Sequence, residues 1–220
     1  MATIMKQRII LSVIALALVT PSAWAQTQKV TRQSSQQTAK PKPPKKSRWQ
    51  YQDDFHEGLA RVKDANGKSG FIDKTGKLVI PCQWKSAWWF SDGLAAVKDD
   101  NGNWGFIDKT GKLVIPCQWK YAYSFSEGLA YVQDDRDKYG FIDKTGKLII
   151  PCQWGNAYSF SEGLARAQDD RDKYGFIDKT GKLVSPCQWK FASPFKDGLA
   201  AVTDDNGKTH KINKQGEIVK

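Results

Sequence analysis

The sequence predicts an all-β protein: an open, twisted tandem array of five units of about 35 residues, each a three-stranded antiparallel meander. Equivalent residues recur every 35 positions, as Phe71, Phe106, Phe141 and Phe176 do. A fixed period of this size is typical of a repeat array. Between Gly93 and Trp119, four glycines and a proline leave no window long enough for a stable helix. Short strands are therefore the regular structure that a unit can form.

The first 25 residues have the three parts of a secretory signal peptide. Lys6 and Arg8 precede an apolar run over residues 9–19, and Ala23 and Ala25 flank Trp24 in a small-x-small cleavage site. This run is shorter than the roughly 20 residues that a membrane span needs. We therefore expect cleavage before Gln26, a secreted or periplasmic protein, and no stable membrane insertion after cleavage.

Residues 26–48 are rich in Gln, Ser, Pro and Lys, and we expect a disordered basic linker. Nine of the 34 Lys and Arg residues lie before residue 49, where there is no acidic residue, so the remaining chain carries 25 basic against 23 acidic residues. A nucleic-acid-binding domain concentrates positive charge on a folded face. The excess charge belongs to the N-terminal tail, and we expect no nucleic-acid partner.

The second unit illustrates the three predicted strands, at Leu94–Lys98, Trp104–Asp108 and Lys112–Trp119. Gly102 and Gly111 supply the turns between them. In the third strand, a period of two places Leu113, Ile115, Cys117 and Trp119 on one face. One meander is too small to bury its own apolar faces, so neighbouring units must cover one another. The repeat domain spans residues 49–220, with units at about 49–83, 84–118, 119–153, 154–188 and 189–220.

These motifs carry a family resemblance. Residues 93–116 read GLAAVKDDNGNWGFIDKTGKLVIP, and residues 125–130 read FSEGLA. With these motifs the unit resembles the WG-repeat family, also called KWG repeats, over roughly 170 residues of the chain. At this position of the repeat, the Trp-Gly pair occurs only at Trp104 and Gly105. The resemblance implies an all-β repeat module of bacterial proteins, and it implies no particular reaction.

Comparison of the five units separates expected core positions from variable ones. Two aromatic ladders are expected to pack between units, one of tryptophans at 84, 119, 154 and 189 and one of phenylalanines at 55, 90, 125, 160 and 195. One face of the first strand carries recurring Ala and Val, which predicts core. The opposite face varies in size and charge, so we expect it to meet solvent, at Arg61, Ala96, Tyr131, Arg166 and Ala201.

Two further positions are aromatic in the three central units and small or polar at both ends. Polar end units are typical of an open array, whereas a closed propeller-like ring, the alternative, gives every unit the same neighbours. Because Trp and Tyr combine contact area with a polar group, we predict that these aromatics form the binding surface. The alternative is that they only fill space between units. The predicted binding residues are Trp88, Trp104, Tyr123, Tyr139, Tyr158 and Tyr174.

The four cysteines, Cys82, Cys117, Cys152 and Cys187, occupy one position of the repeat. A disulfide needs Cα atoms within about 7 Å, whereas β layers pack about 10 Å apart. We therefore expect buried, unpaired thiols, although pairing of adjacent units stays open. A cysteine metal site is not expected, because each unit contributes only one ligand.

The acidic stretches DDNGN and DDRD lack the spacing of an EF-hand and are expected to form hairpin turns, so no metal or other cofactor is predicted. The two histidines, His56 and His210, lie at opposite ends of the repeat domain. A catalytic site requires unlike residues that converge once, whereas this chain offers like residues that recur. No catalytic residue is therefore predicted.

Taken together, these features predict an exported, noncatalytic interaction module that presents an extended β-repeat surface to a protein or a cell-envelope glycan. One alternative is a glycan hydrolase that uses surface carboxylates. Another is a purely structural spacer. The identity of the ligand and the oligomeric state are not predicted.

Overall fold

A computed structural model describes residues 48–219. The predicted signal peptide and nearly all of the predicted linker lie outside these residues. The described chain contains twenty strands and no helix. They form five four-stranded antiparallel sheets, one per repeat unit, in each of which the strands follow chain order. The all-β open tandem array is confirmed.

The strands of the first two units are β1 (Tyr51–Gln52), β2 (Leu59–Lys63), β3 (Ser69–Asp73), β4 (Leu78–Trp84), β5 (Ser86–Ala87), β6 (Leu94–Lys98), β7 (Trp104–Asp108) and β8 (Leu113–Trp119). Those of the third and fourth are β9 (Tyr121–Ala122), β10 (Ala130–Gln133), β11 (Tyr139–Ile142), β12 (Leu148–Trp154), β13 (Asn156–Ala157), β14 (Leu164–Gln168), β15 (Tyr174–Asp178) and β16 (Leu183–Trp189). The fifth unit contains β17 (Phe191–Ala192), β18 (Leu199–Thr203), β19 (Thr209–Asn213) and β20 (Ile218–Val219).

Each unit therefore has one strand more than the three predicted. The additional strand is the first and has only two residues, as in β5, where Ser86 pairs with Lys98 and Ala87 with Val97. Two residues are too few to produce a recognisable alternation of apolar and polar residues. The sequence therefore predicts a loop at this position, and the pairing with β6 turns it into a strand.

The acidic stretches form the turns between the second and third strands, as predicted, and the turns between the third and fourth strands are also built around aspartate side chains. Asp108 Oδ1 accepts hydrogen bonds from the backbone N–H groups of Thr110 (2.8 Å) and Lys112 (3.1 Å) and from the Thr110 hydroxyl (2.6 Å). Gly111 completes the turn with a φ of 86°. Asn213 accepts the two equivalent backbone hydrogen bonds in the fifth unit. The turn needs the side-chain oxygen acceptor, and it does not need the negative charge.

We expect these turns to make the fold acid-sensitive. The hydrogen bond from Thr110 holds the pKa of Asp108 below its ordinary value of 3.8, and equivalent threonines do the same at Asp73, Asp143 and Asp178. A group with a lowered folded pKa stabilises the fold above its unfolded pKa, and this contribution is lost as the pH falls through the folded pKa. The melting temperature should therefore be flat above about pH 5 and fall below about pH 4. Thermal unfolding followed by circular dichroism measures it.

Asp108→Asn provides the control for this acid sensitivity, because asparagine keeps the acceptor and removes the titrating group, as Asn213 does in the fifth unit. The variant should show a shallower decrease of melting temperature with acid than the unchanged protein. A melting temperature that does not change between neutral and acid pH would contradict the prediction.

A bulge in the fourth strand of the unit explains why glycine follows the variable aromatic residue. Between β7 and β8, Phe106 pairs with Ile115 and Trp104 pairs with Trp119. A step of two residues along β7 therefore corresponds to a step of four residues along β8. Gly105 lies against the bulge, where a Cβ atom would come within 2.5 Å of the Ile115 carbonyl oxygen. A second register shift leaves Leu113 exposed while Ile115 is buried, so the predicted single face of this strand is wrong.

The hydrophobic core lies between consecutive sheets. At the junction of the first and second units, Leu59, Phe71 and Ile80 of the first pack against Ala95, Val97 and Ile107 of the second, together with other buried residues. Phenylalanine pairs cross all four junctions edge to face, with ring centroids 4.8 to 4.9 Å apart. The predicted packing role of the phenylalanine ladder is confirmed.

The ends of the array differ from its interior. Phe55 is 39% exposed, whereas its equivalents in the other four units are at most 2% exposed, because no unit precedes the first within residues 48–219. At the other end, Thr209 and Lys211 are exposed at positions that hold Trp104 and Phe106 in the second unit. The two end faces do not cover each other, which is the property of an open array.

The variable face of the second strand does not meet solvent as predicted. Ala96 is fully buried in the core between the second and third units. Tyr131 packs against the core of the next junction. Arg166 Nη1 donates a hydrogen bond of 2.8 Å to the Ala192 carbonyl oxygen of the following unit, and Arg61 makes the equivalent bond to Ala87. This prediction is wrong because the face points toward the next unit.

Candidate functional site

The six predicted binding residues lie along the junctions between units, and their exposure differs. Trp104 is 5% exposed and belongs to the core between the second and third units. The other five, Trp88, Tyr123, Tyr139, Tyr158 and Tyr174, are half-buried. Trp104 therefore supports the surface from beneath, and the other five can offer part of their rings to a ligand.

Trp88, Trp104 and Tyr123 form one cluster across the junction of the second and third units. The Trp88 ring stacks on Trp104 with centroids 6.2 Å apart, and it contacts Tyr123 at 5.0 Å. Trp89 extends the cluster, because its ring lies 5.5 Å from Trp88 and 6.0 Å from Tyr123. His56 of the first unit stacks on Trp89 at 5.4 Å. Aromatic groups from three units therefore meet here.

Tyr131 connects this cluster to Tyr139. Its ring stacks on Tyr123 at 5.2 Å and lies 6.5 Å from Tyr121 and 6.1 Å from Tyr139. Burial raises the pKa of the Tyr131 hydroxyl, and the neighbouring tyrosines raise it further. We call the connected set Trp88, Trp89, Tyr121, Tyr123, Tyr131 and Tyr139 the aromatic tract.

The tyrosine hydroxyls of the aromatic tract are available for hydrogen bonds. Tyr121, Tyr123, Tyr131 and Tyr139 have no hydrogen-bond partner for these groups among residues 48–219, and none of the four hydroxyl oxygens is enclosed by protein. The Trp88 indole nitrogen, in contrast, is enclosed without a partner in the same part of the chain. The tract therefore offers flat ring area together with uncharged donors and acceptors.

Tyr158 and Tyr174 form a separate pair in the fourth unit. Their hydroxyl oxygens are 3.3 Å apart, and the Arg166 guanidinium carbon lies 4.2 Å from the centroid of the Tyr158 ring. Burial, and then the hydrogen bond between the Tyr158 and Tyr174 hydroxyls, raises the pKa of Tyr158 to about 12. The pair satisfies its own polar groups, so it offers less to a ligand than the tract does.

Three residues of the tract were not predicted. Tyr131 is placed by sequence on a solvent-facing side, and Tyr121 lies in the two-residue strand β9 that the sequence does not reveal. Trp89 has no aromatic equivalent in the other units, where the same position holds Asp54, Ser124, Ser159 and Pro194. The adjacent pair of tryptophans at 88 and 89 is the one signal in the sequence that marks this place.

The four cysteines are unpaired, at one equivalent position in each of four units. Cys152 is buried and the other three are half-buried. Burial raises the pKa of the Cys117 and Cys152 thiols to about 11. A thiol with a raised pKa is a weak nucleophile at neutral pH.

A cavity of about 370 Å³ at the junction of the third and fourth units contains two carboxylates, Asp169 and Asp170. Asp169 accepts hydrogen bonds from the backbone N–H groups of Arg171 and Lys173, and its other oxygen pairs with the Arg171 side chain at 2.8 Å. Burial alone would raise the pKa of Asp169, but these hydrogen bonds together outweigh burial, and the pKa is lowered. Asp170 pairs with Lys138. Both carboxylates are thus occupied by neighbouring cations.

The two histidines, which could act in catalysis or bind a metal, are far apart in the repeat array. His210 Nε2 lies 2.9 Å from Asp204 Oδ2 at the end of the array, and His56 stacks on Trp89. Within residues 48–219, no cluster of three or more His, Cys, Asp or Glu residues is arranged to hold a metal ion. The same residues include no helix of the length and apolar character needed to cross a membrane.

The comparisons with known proteins identify the repeat. Residues 70–102, 104–138, 139–173 and 174–208 each match the model of a family described as WG containing repeat. No curated protein shows significant similarity to the chain.

Among solved structures, the chain is similar to the computationally designed Ika8 protein, with a TM-score of 0.50 and 12% identity over 76% of this chain and 59% of that one. It is also similar to BamB from Moraxella catarrhalis, with a TM-score of 0.45 and 14% identity over 74% of this chain and 57% of that one. The chain thus spans less than two thirds of either structure. The similarity to Ika8 concerns the fold alone.

Proposed function

The chain belongs to the WG-containing repeat family, and from that premise we propose that it is an exported, noncatalytic binding module whose aromatic tract binds a cell-envelope glycan. The observation that carries the proposal is the continuous set of half-buried Trp and Tyr rings from Trp88 to Tyr139. An array of repeats is suited to this role because stacked units create one extended surface.

The chemistry of the tract fits a sugar. Sugar rings have an apolar C–H face that packs on Trp and Tyr rings, and their hydroxyls need hydrogen-bond partners at the rim. The free hydroxyls of Tyr121, Tyr123, Tyr131 and Tyr139 can donate to and accept from such groups. Because these rings already pack against one another, binding orders few additional side chains.

The carboxylates support binding without turnover. A glycosidase acid needs a raised pKa so that it is protonated at the start of the reaction. At Asp169 and Asp134, arginine and backbone N–H groups lower the pKa instead. Asp169 and Asp134 are therefore poorly suited to be the protonated acid of a hydrolase.

A protein partner is the second candidate, and one observation favours it. The fourth strands carry exposed leucines at one position of the repeat, Leu113, Leu148 and Leu183. A row of apolar side chains spaced by the repeat is a surface that an extended protein segment could bind. This row is separate from the aromatic tract, so variants distinguish the two surfaces.

Export is proposed from residues 1–25. Their charged, apolar and small-residue segments have the order of a secretory signal peptide. Mass spectrometry of the protein recovered from the bacterial envelope or medium should give an N-terminus at or next to Gln26. An intact Met1 terminus would contradict export by this route.

The binding proposal predicts a selective effect of Tyr123→Ala. The Tyr123 ring contacts Trp88, Trp89 and Tyr131, so its loss removes the centre of the tract. We expect affinity for envelope polysaccharide or peptidoglycan fragments to fall about 30-fold, which corresponds to about 2 kcal/mol. Isothermal titration calorimetry measures the affinity, and circular dichroism verifies the fold.

Two further variants separate the candidates. Tyr51→Ala removes an exposed tyrosine outside the tract and should leave glycan affinity unchanged. Leu148→Ser alters the leucine row and should affect only a protein partner, captured from an envelope extract with the mature protein as bait. Unchanged glycan affinity in Tyr123→Ala would overturn the proposal, and release of sugar products by the purified protein would favour the hydrolase.

A further inference from the structure

The two ends of the array carry opposite halves of the contact that joins neighbouring units inside it. We propose that a second copy of this chain docks on these ends, so that the fifth unit of one copy packs head to tail against the first unit of another. This inference is independent of the aromatic tract and of any ligand bound there.

The joining contact is a carboxylate clamp that recurs along the array. Glu57 of the first unit accepts a hydrogen bond from the Gly93 backbone N–H of the second at 3.1 Å and pairs with Lys109 of the same second unit at 3.0 Å. Glu162 of the fourth unit does the same with Gly198 (2.9 Å) and Lys214 (3.1 Å) of the fifth.

The two middle junctions keep the clamp with small variations. Glu127 accepts from Gly163 at 2.9 Å and pairs with Lys179 at 3.2 Å. At the junction of the second and third units, Asp92 accepts from Gly128 at 2.7 Å. All four junctions therefore use a carboxylate of one unit and a glycine N–H of the next, and three of them add a lysine.

At the ends of the array each half of the clamp is unmatched. Asp197 is the carboxylate of the fifth unit, and it is exposed and accepts no hydrogen bond from residues 48–219. Gly58 and Lys74 are the glycine and lysine of the first unit, and neither the Gly58 N–H nor the Lys74 ammonium has a partner in that range. The charges are complementary, negative on the last unit and positive on the first.

A second recurring contact shows the same pattern. Gly111, Gly146 and Gly181 each face an isoleucine of the preceding unit, which lies 3.0 to 3.3 Å from the place of a Cβ atom, and Gly216 faces Ser185. Gly76, the equivalent glycine of the first unit, has no atom of residues 48–219 within 4 Å of the place of a Cβ atom. Among the described residues, Phe55 also has no ring partner of the kind that its equivalents contact across a junction. The first unit thus presents an open receptor for a preceding unit.

The contact between copies is expected to be weak and reversible. Thr209 and Lys211 of the last unit stand where Tyr174 and Phe176 stand in the fourth, so the aromatic contribution is reduced. The Lys211 ammonium would instead meet the exposed Phe55 ring, and a cation over an aromatic face is attractive. A head-to-tail contact of this kind is heterologous, so it forms rings or filaments.

The test measures self-association of the mature full-length protein by sedimentation velocity over a wide range of concentrations at low ionic strength. We expect concentration-dependent association that Asp197→Lys weakens about tenfold or more, and Lys74→Asp by a similar factor. The double variant with both changes restores the opposite charges and should recover association. Asp135→Lys, an exposed aspartate of the third unit, is the matched control and should have no effect.

The natural contact between copies could be too weak to detect, so a second variant is designed to strengthen it. Thr209→Tyr combined with Lys211→Phe gives the last unit the face of the fourth, and it should associate at concentrations where the unchanged protein is monomeric. The proposal is overturned if this variant stays monomeric with native circular dichroism. It is also overturned if Asp197→Lys and Asp135→Lys affect association equally, or if the double charge exchange recovers nothing.

Discussion

Replacing Gly105 by alanine is expected to destabilise the fold by about 3 kcal/mol or more. An alanine Cβ would come within 2.5 Å of the Ile115 carbonyl oxygen, 2.7 Å of the Cys117 backbone nitrogen and 2.8 Å of the Pro116 carbonyl carbon. All three are backbone atoms of the bulged strand β8, so no side chain can rotate away to make room. Chemical denaturation followed by tryptophan fluorescence measures the loss.

Two comparisons make this prediction specific. Gly155→Ala should cost clearly less than Gly105→Ala, because lysine occupies the equivalent positions 85, 120 and 190, and the atom nearest to an added Cβ is the Asp169 carbonyl oxygen at 3.0 Å. Trp104→Tyr should cost less than about 1.5 kcal/mol, because tyrosine fills the same position in the third and fourth units. If Trp104→Tyr destabilised the protein more than Gly105→Ala, the bulge would not be the reason for the conserved pattern between units.

The two positions of the Trp-Gly pair therefore differ in how strictly the fold determines their residue type. Glycine is retained at positions 70, 105, 140 and 175, where the bulge of the fourth strand lies against it. In the fifth unit, where β20 has only two residues, His210 takes this place. The preceding position varies from Ser69 through Trp104 to Thr209, because its side chain fills the space toward a neighbour that differs from junction to junction.

The strands of the repeat could be predicted from sequence because their signals are local. Strands β6 and β7 begin and end where predicted, since glycine turns and apolar runs define both ends. The bulges of β8 could not be predicted, because they depend on Gly105 accepting the close approach of another strand. They interrupt the period of two, and Leu113 is consequently exposed on a strand whose Ile115 is buried.

The faces toward the next unit could not be predicted for a different reason. Variation between units was interpreted as exposure to solvent, but Ala96, Tyr131 and Arg166 vary because each meets a different neighbour. Ala96 lies between the large rings of its own unit and the next, whereas Arg166 reaches the Ala192 carbonyl oxygen. A change on one side of a junction is matched on the other, and the sequence does not show which residues face each other.

Part of the aromatic cluster could be predicted from the sequence, and its role in binding stays a prediction. The clustering of aromatics in the central units identified Trp88, Tyr123 and Tyr139, which the structure connects through Tyr131. Burial could not be predicted for Trp104, because the sequence does not reveal that Tyr121 of the next unit lies over it at 5.6 Å. The exposed part of the aromatic cluster thus depends on how the units stack.

Phe125→Ala is expected to destabilise the array by about 3 to 5 kcal/mol. The Phe125 ring is 1% exposed and lies edge to face against Phe106 of the preceding unit at 4.8 Å. Its loss leaves a cavity in the core that joins the second and third units. Because each unit buries its faces only against its neighbours, weakening one junction also reduces the cooperativity of unfolding. Urea denaturation should show a lower midpoint and a less steep transition.

Phe55→Ala is the matched control, because the same residue type occupies the same position of the repeat without a preceding unit. Phe55 is 39% exposed and has no ring partner among the described residues, so its replacement should cost less than about 1 kcal/mol. The loss of unfolding free energy in Phe125→Ala minus that in Phe55→Ala gives the contribution of packing across the junction, because both variants lose the packing of the ring within its own unit. Equal losses would show that this phenylalanine stabilises its own unit, and the core would then lie within units and not between them.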